Sequence, residues 1–151
     1  MSSEKVVATN KKAYHDFFIE DTFEAGIELV GSEVKSIRNG GVNLKDSFAI
    51  IKNGEIFLLN AHVSPYKMGS YYNPDPRRDR RLLMHKKEIA RLRGKVEQKG
   101  YALVVTKIYF KQSIVKVELA LAKGKEAHDK REALKEKQVK RDISRALADI
   151  K

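Results

Sequence analysis

Four arginines within five residues, closely preceded by two tyrosines, form the part of this sequence best suited to chemistry. The tyrosines are Tyr71 and Tyr72, and the arginines are Arg77, Arg78, Arg80 and Arg81. Guanidinium groups bind phosphates through paired hydrogen bonds, and tyrosine rings offer faces on which bases stack. The segment therefore predicts a nucleic-acid-binding loop, with a solvated run of charge as the alternative.

Glu33 is a second candidate, because it lies in Gly31-Ser-Glu-Val-Lys-Ser-Ile-Arg38 among cations. Its carboxylate could orient Lys35 and Arg38, or accept hydrogen bonds from ribose hydroxyls and base edges. It could equally be an ordinary glutamate that stabilises the dipole of a helix N-terminus. The residues alone leave both interpretations open.

Signals of catalysis and of metal binding are missing from the sequence. There is no cysteine, and the four histidines (His15, His62, His85 and His128) have no partner at the spacing of a metal-binding helix. We therefore expect a non-catalytic protein without cofactor or metal. Two alternatives stay open: an RNA-processing enzyme with Glu33 and His62 as acid and base, and a ribosome-associated structural protein.

The charge of the chain is large and unevenly distributed. The net charge is +11, residues 77–99 carry 10 Lys/Arg against 3 Asp/Glu, and residues 123–151 carry 10 against 6. Clustered positive charge is typical of proteins that bind polyanions, above all nucleic acids. No apolar run is long enough to cross a membrane and no secretory signal is visible, so we expect a cytoplasmic protein.

Hydrophobic periodicity predicts the strands that position these residues. Residues 23–30 alternate apolar and polar side chains, and residues 13–20 are rich in aromatic and β-branched types, which predicts two strands. Asn53-Gly54 between two apolar runs predicts a hairpin with a type I′ turn. A second hairpin is expected over 101–122.

Two helices and one long loop complete the prediction. Ser32 can cap a helix over 33–38, and an apolar stripe from His85 to Val96 predicts a second helix. Three prolines argue for a loop over 64–81. Six short strands, mostly joined by hairpins, favour a closed antiparallel barrel, so the predicted class is mainly β with flanking α-helices.

Composition divides the chain into three parts. Residues 1–12 are expected to be a flexible N-terminal arm, 13–122 the barrel, and 123–151 a basic C-terminal tail. The tail has only a thin apolar stripe, and an isolated helix of this length is marginal in water. We therefore expect it to be disordered when free and helical when docked, the alternative being a helix packed permanently on the barrel.

Four blocks of this sequence resemble the small protein B family, the bacterial SsrA-binding proteins that partner transfer-messenger RNA in rescuing stalled ribosomes. The blocks are NKKAYHDFFIEDTFEAGIELVGSEVKSIR at 10–38, NLKDSFAIIKNGEIFL at 43–58, NPDPRRDRRLLMHKKEI at 73–89 and AKGKEAHDKRE at 122–132. The resemblance implies a six-stranded barrel of the oligonucleotide-binding (OB-like) type that grips the tRNA-like domain of that RNA. It also implies a tail that becomes helical in the vacant messenger channel.

The resemblance assigns sites and partners as well. The implied partners are transfer-messenger RNA, the small-subunit decoding centre and messenger channel of the ribosome, and elongation factor Tu within the delivery complex, with the protein itself a monomer. With the arginine run included, the barrel residues expected to bind RNA are Asn10, Lys11, Lys12, Glu33, Lys35, Arg38, Arg77, Arg78, Arg80 and Arg81. The tail residues expected at the decoding centre are Lys123, Gly124, Lys125, His128, Asp129, Lys130 and Arg131.

Overall fold

A computed structural model describes residues 4–69, 71–98 and 100–125 of the 151-residue chain, with nine strands and three helices among them. The strands are β1 (Glu4–Thr9), β2 (Phe17–Ile27), β3 (Val42–Asn43), β4 (Phe48–Lys52), β5 (Glu55–Leu59), β6 (His62–Val63), β7 (Arg80–Leu83), β8 (Tyr101–Lys111) and β9 (Ile114–Gly124). The helices are α1 (Lys11–Asp16), α2 (Gly31–Arg38) and α3 (Lys86–Val96). None of the helices within these ranges has the length and apolarity that a membrane span requires.

Seven antiparallel strands form the main sheet, in the order β1, β8, β4, β5, β7, β2, β9, and β9 also pairs with β8. Six of these strands are therefore hydrogen-bonded to a neighbour on both sides: β8, β4, β5, β7, β2 and β9. β1 adds to β8 opposite residues 107–111, beyond the residues that pair with β4. The predicted class, mainly β with flanking helices, is confirmed.

The core is formed by the inward faces of the strands and by one side of each longer helix. Ile37 of α2 and Ile89 and Leu92 of α3 are buried in the same apolar cluster as the strand residues. Full burial of one such side chain contributes about 1.5–3 kcal/mol, so the helices are held mainly by these contacts. In β9 four alternating residues are all buried: Val115, Val117, Leu119 and Leu121.

The hairpin predicted from Asn53-Gly54 is present. Lys52 pairs with Glu55, and the turn residues have φ angles of 53° and 77°. Both angles lie in the left-handed region that a type I′ turn requires and that asparagine and glycine tolerate best. β8 and β9 form the second predicted hairpin, with its turn at 112–113.

The N-terminal region differs from the prediction. Residues 4–9, expected in a flexible arm, form β1, and much of the predicted strand over 13–20 is the helix α1. Asn10 begins that helix by accepting a hydrogen bond from the Ala13 amide at 3.3 Å. β1 is largely exposed and is stabilised by pairing with β8, about a hundred residues away in the sequence. No hydrophobic pattern within residues 4–9 therefore indicates this strand.

The boundary between body and tail also differs. β9 continues through Lys123 and Gly124, which pair with Phe18 and Phe17 of β2. The Lys125 amide then donates to the carbonyl of Asp16 at 3.1 Å. The sheet therefore extends two residues into the predicted tail, and the remaining tail candidates lie outside the described residues: His128, Asp129, Lys130 and Arg131.

Candidate nucleic-acid interface

Glu33 is the centre of a buried ionic network. It lies in the first turn of α2 with 3% of its surface exposed, and its Oε1 accepts a hydrogen bond from the Val30 amide at 3.0 Å. Arg78 binds both carboxylate oxygens, through Nη2 at 2.6 Å and Nε at 3.1 Å. Arg80 adds Nε at 2.9 Å and Nη2 at 2.7 Å from Oε2. Two guanidinium groups thus share one carboxylate.

Arg80 has no exposed surface. Its Nη1 donates to the carbonyls of Ala61 and Arg78, at 3.1 and 3.0 Å, and its Nη2 donates to the Pro76 carbonyl at 3.1 Å. Each nitrogen of the side chain is therefore bound to the protein itself. Arg80 and Glu33 were expected to bind RNA, and the structure places both inside the body.

Alternation along β7 explains this difference. Arg80 and Leu82 are buried, whereas Arg81 and Leu83 are exposed, because successive strand residues point to opposite faces. Four nearby arginines in a sequence give no sign of which one faces inward. The paired neighbour Leu58, which is itself buried, identifies Arg80 as the inward one.

The network keeps its charges. Burial disfavours the ionised form of Glu33, but hydrogen bonds from Arg78, the Val30 amide and Arg80 outweigh it and hold the pKa of that carboxyl below its ordinary value. Burial lowers the pKa of the Arg80 guanidinium, and the bond to Glu33 opposes that shift. Near neutral pH the carboxylate is therefore ionised between two cations.

Acid is expected to destabilise the fold through Glu33. A carboxyl whose pKa is lower in the folded state stabilises the protein above its unfolded pKa, and this contribution disappears as the pH falls through the folded pKa. The free energy of unfolding in urea should therefore decline below about pH 4. Glu33→Gln should be less stable at pH 7 and vary less in acid, whereas Glu55→Gln, at an exposed site, should follow the wild type. An equally steep acid profile in Glu33→Gln would contradict the assignment.

The loop between β6 and β7 is tied to α2. The Ser32 hydroxyl donates to the Tyr72 carbonyl at 2.5 Å. The Asn73 side chain accepts from the Tyr66 amide at 2.8 Å and donates to its carbonyl at 3.1 Å. The rings of Tyr66 and Tyr71 meet edge to face, with centroids 5.4 Å apart. The two tyrosines singled out in the sequence are thus held beside the helix.

Two cations of α2 lie over aromatic rings. Lys35 Nζ is 5.4 Å from the centroid of Tyr71, and Arg38 Cζ is 5.3 Å from that of Phe110. A cation over a ring is oriented without losing its charge, and it keeps donors for another partner. This surface therefore presents positive charge and aromatic rings together.

Two members of the arginine run are exposed and only loosely engaged. Arg77 Nη1 donates to Asn60 Oδ1 at 3.1 Å. Arg81 lies 3.8 Å from Glu28 and 3.6 Å from Glu55, which are weak contacts at exposed positions. Both side chains can reach an external phosphate.

The RNA-binding candidates near the N-terminus also include both buried and exposed residues. The Asn10 side chain is buried and donates to the carbonyls of Leu44 and Val105 at 3.1 and 3.0 Å, so it fastens α1 to the body. Lys11 and Lys12 are exposed on the helix, and the Lys12 ammonium is ion-paired with Asp46. Only the two lysines are placed to meet a ligand.

The start of the tail carries a further pair of cations and rings. Lys123 Nζ is 5.9 Å from the centroid of Tyr101, and Lys125 Nζ is 5.4 Å from that of Phe18. Phe18 is more than half exposed. Sequence reasoning missed it, although Phe17 and Phe18 are adjacent in a strand and therefore point to opposite faces.

Catalytic alternatives find no support in the described residues. No group of histidine, aspartate and glutamate side chains in residues 4–69, 71–98 and 100–125 could hold a metal ion. Glu33 is buried and bound by two arginines, so it is unsuited to exchange protons with a substrate as the partner of His62.

These features define a small, mainly β protein whose surface pairs cations with aromatic rings, the combination typical of nucleic-acid binding. The chain belongs to the SmpB protein family, whose model matches residues 7–149.

Comparison with known proteins gives the same relationship along nearly the whole chain. An SsrA-binding protein of Caldicellulosiruptor bescii is 59% identical over 145 residues, covering 96% of this chain and 92% of that protein. One of Geobacter sulfurreducens is 57% identical over 146 residues, covering 97% and 95%. A chain of a solved structure described as "tmRNA-SmpB: a journey to the center of the bacterial ribosome" is 54% identical, with a TM-score of 0.68 over 80% of this chain and 85% of that one.

Proposed function

We propose that this protein binds the tRNA-like domain of transfer-messenger RNA and delivers that RNA to stalled ribosomes for trans-translation, without catalysing a reaction itself. The observation that carries the proposal is membership of the SmpB family across residues 7–149, among relatives named for binding SsrA. Likeness to a chain solved as tmRNA-SmpB in a ribosomal context supports the same assignment. The protein then acts in the bacterial cytoplasm.

We propose that the six strands paired on both sides close into an OB-like barrel. The support is the cycle of pairings itself, because a strand order that returns to its first member leaves no free edge among those six. Such a body is preorganised, so it binds folded RNA by shape and by its phosphates.

Within this proposal the expected site residues have two roles. Those buried in the body, Asn10, Glu33 and Arg80, hold the surface in shape. Contact with RNA falls to the accessible cations, namely Lys11, Lys12, Lys35, Arg38, Arg77, Arg78 and Arg81.

In this proposal the segment after β9 detects whether the messenger channel of the ribosome is vacant. This basic segment becomes ordered only on docking, and it docks only where the messenger channel is vacant. The entropic cost of ordering is therefore offset by binding only on a stalled ribosome, which distinguishes it from an active one. Elongation factor Tu joins the delivery complex through the charged RNA, and the protein acts as a monomer. Lys123 near the end of β9 lies beside the ring of Tyr101, and Lys125, the first residue after β9, lies beside the exposed ring of Phe18.

RNA recovery from a bacterial lysate tests the proposal. Full-length tagged protein is expected to retain one dominant structured RNA, identified by sequencing as transfer-messenger RNA. A variant with alanine at Lys35, Arg38 and Arg77 should lose most of it, because three surface cations of the interface are gone.

A matched variant controls for net charge. Alanine at Lys86, Lys87 and Lys95 removes the same charge from exposed positions of α3 and should retain the RNA. Stoichiometric retention on translating ribosomes that lack transfer-messenger RNA would instead support a structural ribosomal component. Equal loss in both triple variants would mean that binding depends on total charge alone.

A further inference from the structure

A cleft opens where β2 leads into α2, across from the loop that precedes β7. Six residues line it: Glu28, Leu29, Val30, Tyr72, Pro74 and Arg78. The cleft overlaps the loop predicted from the sequence to bind nucleic acid, because Tyr72 and Arg78 belong to both. These residues include an exposed tyrosine, an anchored arginine and a glutamate.

Tyr72 supplies an open ring on a held backbone. The residue is 76% exposed, while its carbonyl is bound by the Ser32 hydroxyl at 2.5 Å. A tyrosine this exposed contributes little to the core, so its ring is free to stack on a ligand. Because the loop is already fixed at this point, little ordering entropy opposes such stacking.

Arg78 is fixed in position and keeps one donor. Its Nε and Nη2 bind Glu33, Nη2 also donates to the Glu28 carbonyl at 3.2 Å, and Nη1 donates to the Asp79 carbonyl at 3.2 Å. An arginine has five N–H groups, and four are used here. One N–H of Nη1 remains, on a side chain that is 29% exposed.

Glu28 also lines the cleft. Its carboxylate is 55% exposed and lies 3.8 Å from Arg81 Nη1, too far for a short charged hydrogen bond. A carboxylate offers two adjacent acceptors. Among the four bases, guanine alone presents two adjacent donors, N1–H and the N2 amino group, on its Watson–Crick edge.

We propose that this cleft binds a single unpaired guanine of a structured RNA, stacked on Tyr72, with its N1–H and N2 amino group on the Glu28 carboxylate. The free N–H of Arg78 then donates to the base or to its phosphate. Unpaired bases read by stacking and by their Watson–Crick edges are the usual source of sequence preference in RNA recognition. The inference rests on the proposed function, since it names what one part of that RNA-binding surface recognises.

Fluorescence isolates the cleft. The chain contains no tryptophan, so Tyr72→Trp introduces a single reporter at the stacking position. The probes are RNA hairpins that differ only in one unpaired loop nucleotide: guanosine, inosine or adenosine. Quenching is expected at the lowest concentration with guanosine, at a higher one with inosine, which lacks the amino group, and at the highest with adenosine.

The other variants contain no tryptophan, so their RNA binding is measured by the fluorescence anisotropy of labelled hairpins. Tyr72→Ala should weaken guanosine-hairpin binding roughly tenfold, whereas Tyr72→Phe keeps the ring and should bind like wild type. Tyr14→Ala removes an exposed tyrosine outside the cleft and should change nothing. Glu28→Gln should reduce the preference for guanosine over adenosine.

The two proposals fail separately. Equal affinity of wild type for the three hairpins, or normal binding by Tyr72→Ala, would overturn the guanine site, whatever happens with longer RNA. Failure of the wild type to bind the tRNA-like domain would overturn the proposed function, while a guanosine preference on hairpins would still support the cleft.

Discussion

Replacing Arg80 with alanine is expected to lower the free energy of unfolding by about 3–5 kcal/mol, because the change leaves part of a buried charge without its partner. Glu33 would keep Arg78 but lose the Nε and Nη2 contacts at 2.9 and 2.7 Å. The Ala61 carbonyl would also lose its hydrogen bond from Arg80, and the Pro76 carbonyl would keep only the one from the Val63 amide. Urea unfolding followed by circular dichroism measures the effect.

The neighbouring arginine provides a matched control. Arg81 is exposed, and its two acidic neighbours are 3.6 and 3.8 Å away, so Arg81→Ala should change stability by less than about 1 kcal/mol. If Arg81 contacts a phosphate, the same variant should reduce the salt dependence of RNA binding by roughly one ion. Arg80→Ala that unfolds like wild type would show that the buried network is not important for stability.

Arg80→Met separates charge from packing. Methionine fills the volume but cannot donate, so it should recover little of the loss while Glu33 stays charged and buried. The double variant Arg80→Met with Glu33→Gln removes both charges and should recover more than the single one. That pattern would identify the unpaired carboxylate as the cause.

Ending the chain after Lys125 is expected to leave RNA affinity nearly unchanged and to abolish ribosome rescue. The cations assigned to RNA binding on the body all precede this point, and so do both strands that hold the end of β9. The removed segment carries the charges proposed to enter the messenger channel. Affinity for the tRNA-like domain and peptide tagging on stalled ribosomes measure the two activities.

The position of the cut is the control in this experiment. Ending the chain after Ala122 also removes Lys123 and Gly124, which pair with Phe18 and Phe17, and so perturbs the sheet. That shorter form is expected to be less stable, whereas the form ending at Lys125 should unfold like the full chain. Weak RNA binding by a stable Lys125 form would contradict the division between body and tail.

Local signals in the sequence predicted those parts of the fold that depend on neighbouring residues. Asn53-Gly54 gave the hairpin turn because two positive φ angles leave few residue choices. Period-two alternation over residues 23–30 indicated a strand, and the structure has the last part of β2 there. β1 was missed because its stability comes from pairing with β8, and the four-residue β7 was hidden by prolines before it.

The same limit applies to the site. Residue type indicated a phosphate-binding arginine run, and Arg77 and Arg81 are placed accordingly on the surface. Residue type could not indicate that Arg80 faces inward, since only its pairing with Leu58 decides that. The sequence left open whether Glu33 belongs to the RNA-binding surface or stabilises a helix N-terminus. The structure gives it a third role: its carboxylate accepts a hydrogen bond from the Val30 amide at the helix start and also binds two arginines.

The hydrogen bond from the Lys125 amide to the Asp16 carbonyl fixes the position on the body from which the tail starts. A helix advances 1.5 Å and turns 100° with each residue. If the following residues dock as a helix, each side chain is delivered at a height and an angle counted from that bond. The number of residues between that bond and a given side chain would then set where the side chain lies. Inserting a single residue would displace and rotate every later contact without altering its chemistry.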